Sequence, residues 1–197
     1  MTSRLLQFAA VATLALGFAS AAHAQYDERM EMLRGGSPSG RGGYDFFSGN
    51  VSAIPKSTVS YTGSHKPGTI VINTEERRLY LVQDNGTAIR YGIGVGRIGF
   101  TWKGTKTITQ KKEWPAWTPP AQMLKRRPDL PRHMVGGLDN PLGARAMYLG
   151  STLYRIHGSN EPETIGQAVS SGCFRMTNDD VVDLYNRVKV GTTVVVQ

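Results

Sequence analysis

The stretch IHGSNEPETIGQAVSSGCFRM, residues 156–176, holds the only cysteine of the 197-residue chain, Cys173, sixteen residues after His157. His157 closes an apolar, strand-like run (TLYRIHG), so its ring can project from a rigid edge, and Gly158 lets other groups approach the backbone beside it. Glu161 to Ala168 reads as a short, helical connection, and Ser170-Ser171-Gly172-Cys173 brings the thiol in on a glycine turn. A connection of this length can fold back so that cysteine and histidine meet. A free thiol has a pKa of about 8.5, and only its thiolate is the nucleophile. A neighbouring imidazole can take the proton or stay beside the sulfur as imidazolium. The turn glycine lets backbone N–H groups point at a developing oxyanion, where one donor is worth about 3 kcal/mol. A third group usually orients the imidazole; no Asp or Asn is assigned to that duty by spacing, and a backbone carbonyl can serve. A lone cysteine is also often an inert core residue. On chemistry alone the two readings are evenly matched.

Working outward, the pattern is rich in strands. Ile70 to Asn73 and Leu79 to Val82 are β-rich, Asp84-Asn85-Gly86 marks a hairpin turn, and Thr87 to Val95 returns as a strand. Lys106 to Lys112 reads as another strand, Pro120 opens a short helix running to about Arg127, and GGLDNPLG is a loop. ARAMYLG and TLYRIHG are expected to pair. Thr177 is the expected N-cap of a helix with Asp180 at the capping-box position. Val181, Leu184, Tyr185 and Val188 form its core-facing stripe, Gly191 ends it, and TTVVV closes the chain as a strand. The predicted fold is mainly β, a β-sandwich or closed barrel with two or three short helices, because the strands are not regularly separated by helices.

The first 24 residues read as a secretory signal peptide: Arg4 in a positive n-region, a mostly apolar Leu5 to Phe18, and Ala22-His23-Ala24 before a cut at Gln25. The apolar run is short for a membrane anchor, and no later segment is expected to span a bilayer. Residues 25–64 are expected to be a flexible Gly/Ser/Arg-rich linker, with order beginning near Pro67 and one catalytic domain over 65–197. The formal net charge of +8 calls for anionic partners. For an exported protein these are wall carboxylates, other anionic polymers or membrane surfaces rather than nucleic acid. A single cysteine excludes an intramolecular disulfide and a cysteine-rich zinc site.

Other signals carry little. GVGRIG (residues 94–99) matches a dinucleotide fingerprint but is followed by strand and turn character, not a helix, and reads as a tight loop. His65 and His133 stand alone. Trp102, Trp114 and Trp117 read as core or groove residues, and no G-x-S-x-G nucleophile elbow is present.

HGS followed by SSGCFRMTNDD closely resembles the active-site signature of the L,D-transpeptidases, the YkuD-type family. His157, Gly158, Ser171, Gly172, Cys173, Arg175 and Asn178 fill that pattern. The segments WTPP, DLP, GGLDNPLGARAMYL and LYRIHG resemble its Gram-negative periplasmic branch. The resemblance, over about Thr69 to Gln197, implies catalysis by Cys173 and His157, with the Gly158 carbonyl orienting the imidazole and the Gly172 and Cys173 N–H groups forming the oxyanion hole. It implies Ser171, Asn178 and Arg175 as substrate-side residues. Ser171 and Asn178 read as loop supports first, and Arg175 serves either a substrate carboxylate or a structural ion pair. The implied substrate is a peptidoglycan stem tetrapeptide, cleaved at the third residue with loss of D-Ala. The acyl group then passes to an amine, giving a 3→3 cross-link or attaching an outer-membrane protein to the wall. Water as acceptor would make a carboxypeptidase of the same fold, and a non-catalytic wall-binding module is the third alternative. The resemblance further implies no metal or organic cofactor, acylation by carbapenem-type inhibitors, and a periplasmic location.

Overall fold

A computed structural model describes residues 52–197. Its strands are β1 (Ser57–Ser60), β2 (Ile70–Asn73), β3 (Arg78–Val82), β4 (Thr87–Gly92), β5 (Val95–Gly96), β6 (Gly104–Glu113), β7 (Arg145–Leu149), β8 (Arg155–His157), β9 (Ala168–Ser170), β10 (Phe174–Arg175) and β11 (Thr193–Val196). Two α-helices, α1 (Ala121–Arg126) and α2 (Asn178–Arg187), and a 3-10 turn at Pro162–Thr164 complete the described elements. The fold is the mainly β one expected.

Nine strands form one sheet in the order β1-β4-β3-β2-β11-β6-β7-β8-β10, and β5 pairs with β9 alone. The long strand β6 serves two neighbours. Gly104 to Thr107 pair with β11, whereas Ile108 and Gln110 to Glu113 pair with β7. The register shifts between Ile108 and Gln110, and such an inserted residue bends a strand and sharpens its twist. The two leaves joined at β6 share one core. On the first, Leu81, Ile70 and Val194 lie side by side across β3, β2 and β11, as do Leu79, Ile72 and Val196. On the second, Met147, Ile156 and Phe174 make the corresponding row across β7, β8 and β10. Val181 and Leu184 of α2 fill the same cluster. Beyond β4, the Gly94 N–H donates to the Arg175 carbonyl and the Arg175 N–H to the Gly94 carbonyl, both at 2.9 Å. These bonds tie the far edge strand back to the first leaf.

Local sequence explains most of the elements. In the β3–β4 hairpin only Gly86 has positive φ, 71°. The Gln83 N–H donates to the Thr87 carbonyl at 2.9 Å, so the loop is a three-residue one closed by glycine rather than a two-residue Asn-Gly turn. Thr177 caps α2 as expected, its hydroxyl accepting from the Asp180 N–H at 3.2 Å. The helix stops at Arg187, earlier than expected; Val188 is already extended, and Gly191 (φ 91°) instead turns the chain into β11. Lys111 Nζ donates to the Tyr185 and Val188 carbonyls at 2.6 Å each and satisfies the helix end.

The expected 25–64 linker meets the structure only at its last residues. There it is corrected: Ser57–Ser60 forms β1, antiparallel to β4. Ile54 packs against Gly92 and Gly166, where any added Cβ would lie 2.7 Å from its side chain. Thr58 and Ser60 are too polar to announce a strand, and edge pairing to β4 supplies what their pattern lacks. The signal peptide and residues 25–51 lie outside the described residues. Among the described residues, no helix is long and apolar enough to cross a membrane.

Candidate active site

The parallel pairing of β8 and β10 places Phe174 beside Ile156 and Arg175 beside His157. Side chains alternate along a strand. Ile156 and Phe174 point into the core, so Arg155 and His157 share the other face with Arg175 and, one step before β10, Cys173. All four line one cavity of about 830 Å³. The segment between β6 and β7 lines it as well, through Trp117, Met123, Arg126 and Met134. Reciprocal Trp117–Met134 backbone bonds of 2.8 Å brace that segment. So does buried Asn140, whose Nδ2 donates to the Val135 carbonyl at 2.9 Å.

His157 is 5% exposed, and its Nδ1 lies 2.6 Å from the Gly158 carbonyl. A carbonyl only accepts, so Nδ1 carries the proton and the neutral ring leaves Nε2 as an acceptor. Burial pushes the imidazole pKa down to about 3, against the pull of the Gly158 bond, so the neutral ring is the resting form. The Gly158 N–H donates to the Arg145 carbonyl at 3.0 Å, and the Met176 N–H to the His157 carbonyl at 2.9 Å, fixing the strand end. Asn178 lies behind it. Its Oδ1 accepts from the Ala144 N–H at 2.9 Å. That oxygen comes so close that a Cβ on Gly143 or Gly158 would overlap it, at 2.3 and 2.4 Å. Asn178 is buried and does not line the cavity. Of its two expected roles the structure shows the support, and it departs from the substrate-side one.

The cysteine turn is held from several directions. The Ser170 hydroxyl donates to the Cys173 carbonyl at 2.6 Å and accepts from the Gly172 N–H at 3.1 Å. The Gly172 N–H is therefore engaged, which departs from its expected place in an oxyanion hole. The Cys173 N–H has no hydrogen-bond partner among the described residues. Gly172 (φ 107°) must be glycine, since a Cβ would lie 2.5 Å from the Tyr154 ring. Trp102 stacks on Tyr154 (centroids 4.7 Å apart) and donates from Nε1 to the Gly172 carbonyl at 2.9 Å. Of its two readings, core or groove, Trp102 takes the first: it packs against the core cluster, whereas Trp117 lines the cavity. The Cys173 thiol donates to the Leu153 carbonyl at 3.6 Å. Burial pushes its pKa up, and the charge of Arg155 pulls the other way.

The remaining expected residues separate. Ser171 lines the cavity and accepts from Arg97 at 3.3 Å. Arg175 lines it too but already donates to Glu161 at 2.7 Å, the ion pair that was one of its two readings. Arg155 escaped the sequence reading. Its guanidinium reaches the Leu153 carbonyl, at 3.2 Å, that also takes the cysteine thiol, and its Nε is buried without a partner. Its period-2 spacing from His157 was the available signal. Arg97, in the GVGRIG loop, was also missed; that loop lines the site without any helix to cradle phosphate. No group of three or more His, Cys, Asp or Glu side chains able to hold a metal occurs among the described residues.

A family model described as the YkuD L,D-transpeptidase catalytic domain matches residues 67–196. The chain belongs to the L,D-transpeptidase family. It is 37% identical over 183 residues to the probable L,D-transpeptidase ErfK/SrfK of Escherichia coli, covering 87% of this chain and 56% of that protein. With YbiS of the same organism it shares 39% identity over 155 residues, 74% of this chain and 49% of that one. The chain thus spans about half the length of these curated relatives. A solved L,D-transpeptidase from Mycobacterium smegmatis shares the fold at 19% identity and a TM-score of 0.53, over 66% of this chain and 58% of that one. All eleven strands and the cavity between them belong to this transpeptidase catalytic domain or abut it.

Proposed function

We propose that the chain is an L,D-transpeptidase acting on peptidoglycan stem tetrapeptides through a Cys173 thioester. The observation that carries this reading is the shared face of β8 and β10, with His157 and Cys173 opening on one cavity and the imidazole anchored at Nδ1 by the Gly158 carbonyl. His157 Nε2 takes the thiol proton as sulfur attacks the carbonyl carbon of the third stem residue, and the Cys173 N–H receives the oxyanion. The tetrahedral intermediate collapses with cleavage of the C–N bond. The imidazolium proton passes to the departing amine, so D-Ala leaves neutral at nitrogen. An acceptor amine then attacks the thioester, gives its proton to His157, and releases the Cys173 thiolate to be reprotonated. A raised thiol pKa and a depressed imidazole pKa favour this order, in which proton transfer accompanies attack rather than precedes it.

The acceptor is an amine of a second stem peptide, with a wall-anchored protein or water as the competing acceptors. The N-terminal 24 residues are read as an export signal, which sets the reaction in the periplasm, and carbapenem-type β-lactams should acylate the same sulfur. The test incubates protein beginning at Gln25, and its Cys173→Ala variant, with purified disaccharide tetrapeptide and follows products by mass spectrometry. A cross-linked dimer formed with loss of D-Ala, absent from the variant, supports transfer. Tripeptide and free D-Ala without dimer would make the enzyme a carboxypeptidase. Turnover by Cys173→Ala would remove the nucleophile assignment.

A further inference from the structure

The cavity carries more positive charge than its own acids balance. Arg127 is paired with Asp129 at 2.6 Å and Arg175 with Glu161 at 2.7 Å. Arg97 and Arg126 line the same cavity, and neither has a carboxylate partner among the described residues. Both rest on one ring: the Arg97 guanidinium carbon lies 4.2 Å and that of Arg126 5.5 Å from the centroid of Phe100. An aromatic face attracts each cation, but it does not cancel their mutual repulsion. They come from different parts of the chain: Arg97 donates to Ser171, two residues before the nucleophile, whereas Arg126 ends α1. Two forked, permanently charged donors gathered at one ring in the cavity match a carboxylate, which each can bind through parallel N–H bonds.

We infer that Arg97 and Arg126, seated on Phe100, form a carboxylate subsite for the stem peptide, the task that Arg175 is prevented from taking by Glu161. This rests on the proposed stem-peptide substrate. Two of its carboxylates lie near the scissile bond: that of the departing D-residue and that of the third residue's side chain, where this is diaminopimelate. Their chemistry is the same, and selective amidation separates them.

The test measures binding in the Cys173→Ala background, where turnover cannot interfere. Disaccharide tetrapeptide, its terminal D-alaninamide form and its form amidated on the third side chain are titrated calorimetrically. The proteins are the parent, Arg97→Gln, Arg126→Gln and the double variant. Arg126 is exposed on its helix, so its loss spares the fold, and thermal unfolding checks Arg97→Gln. One amidation is expected to weaken binding to the parent roughly tenfold to a hundredfold, as for a lost charged hydrogen-bond pair. It names the carboxylate held. The double variant should bind that amide and the tetrapeptide alike. Equal affinities of the parent for all three ligands, no binding of any, or a double variant that still discriminates, would each overturn the inference. Turnover by the enzyme with Cys173 intact is read separately. Discrimination in binding without turnover would remove the transpeptidase reading and keep the subsite, and the reverse pattern would do the opposite.

Discussion

Asn178 offers the sharpest test of how the histidine is held. Replacing it by alanine removes the Oδ1 that accepts from the Ala144 N–H at 2.9 Å. A buried donor left unsatisfied costs about 1–3 kcal/mol. Asn178 is also the first residue of α2, where alanine regains about half a kcal/mol of helix propensity. The net loss is about 0.5–2.5 kcal/mol, or a fall in Tm of roughly 1–10 °C for a domain of this size. Gly158→Ala acts on the same contact from the other side. Its Cβ would sit 2.4 Å from Asn178 Oδ1, 3.0 Å from the Ala144 nitrogen and 3.2 Å from the Gly143 Cα. Relieving that overlap should cost about 1–3 kcal/mol. It also moves the carbonyl that anchors His157, so acylation of Cys173 should slow as well. In the double variant the shortest overlap is gone, and the combined loss should fall short of the two single losses together by about 1 kcal/mol or more. Urea unfolding of the four proteins, with β-lactam acylation followed by mass, measures both effects. Additive stability losses, or a Gly158→Ala protein with unchanged stability and acylation, would refute the reasoning.

Other expectations follow from the same contacts. Trp102→Phe keeps the stack on Tyr154 but loses the Nε1–H bond to the Gly172 carbonyl; it should cost about 1 kcal/mol in denaturant unfolding and slow acylation severalfold. Burial raises the Cys173 pKa, so alkylation by iodoacetamide should keep rising with pH above neutrality, and a plateau reached by pH 7 would contradict the neutral resting pair. His157 has a folded pKa of about 3 against about 6.5 unfolded. The unfolded chain therefore binds the extra proton between these values, and stability is lost as pH falls from about 6.5 toward 3. His157→Gln should flatten that part of the stability–pH curve. Glu161→Gln weakens a pair whose acid is about half exposed, so unfolding should register less than about 1 kcal/mol.

Much of the candidate site was legible because one continuous segment joins β8 to β10. His157 and Cys173 therefore sit within one quoted segment, and the period-2 alternation around Ile156 and Phe174 already sets which face they share. The short strands, the Pro120 start of α1 and the Thr177 cap of α2 are likewise local: each follows from backbone preferences within a few residues. What pattern alone could not supply is which strand becomes whose neighbour. The insertion of β11 between β2 and β6, and the docking of β1 on β4, are pairings between distant segments. Alternation names a buried face but not the partner that covers it. The site divides along the same line. The placing of His157 and Cys173 on one face, which the proposed chemistry uses, was readable from sequence. The engagement of the Gly172 N–H by Ser170, the seat of Asn178 under Gly158, the clamp from Trp102 and the convergence of Arg97 and Arg126 on Phe100 were not. Each depends on close approach in a packed interior, where a few tenths of an ångström decide which donor is spent and which is left for a substrate.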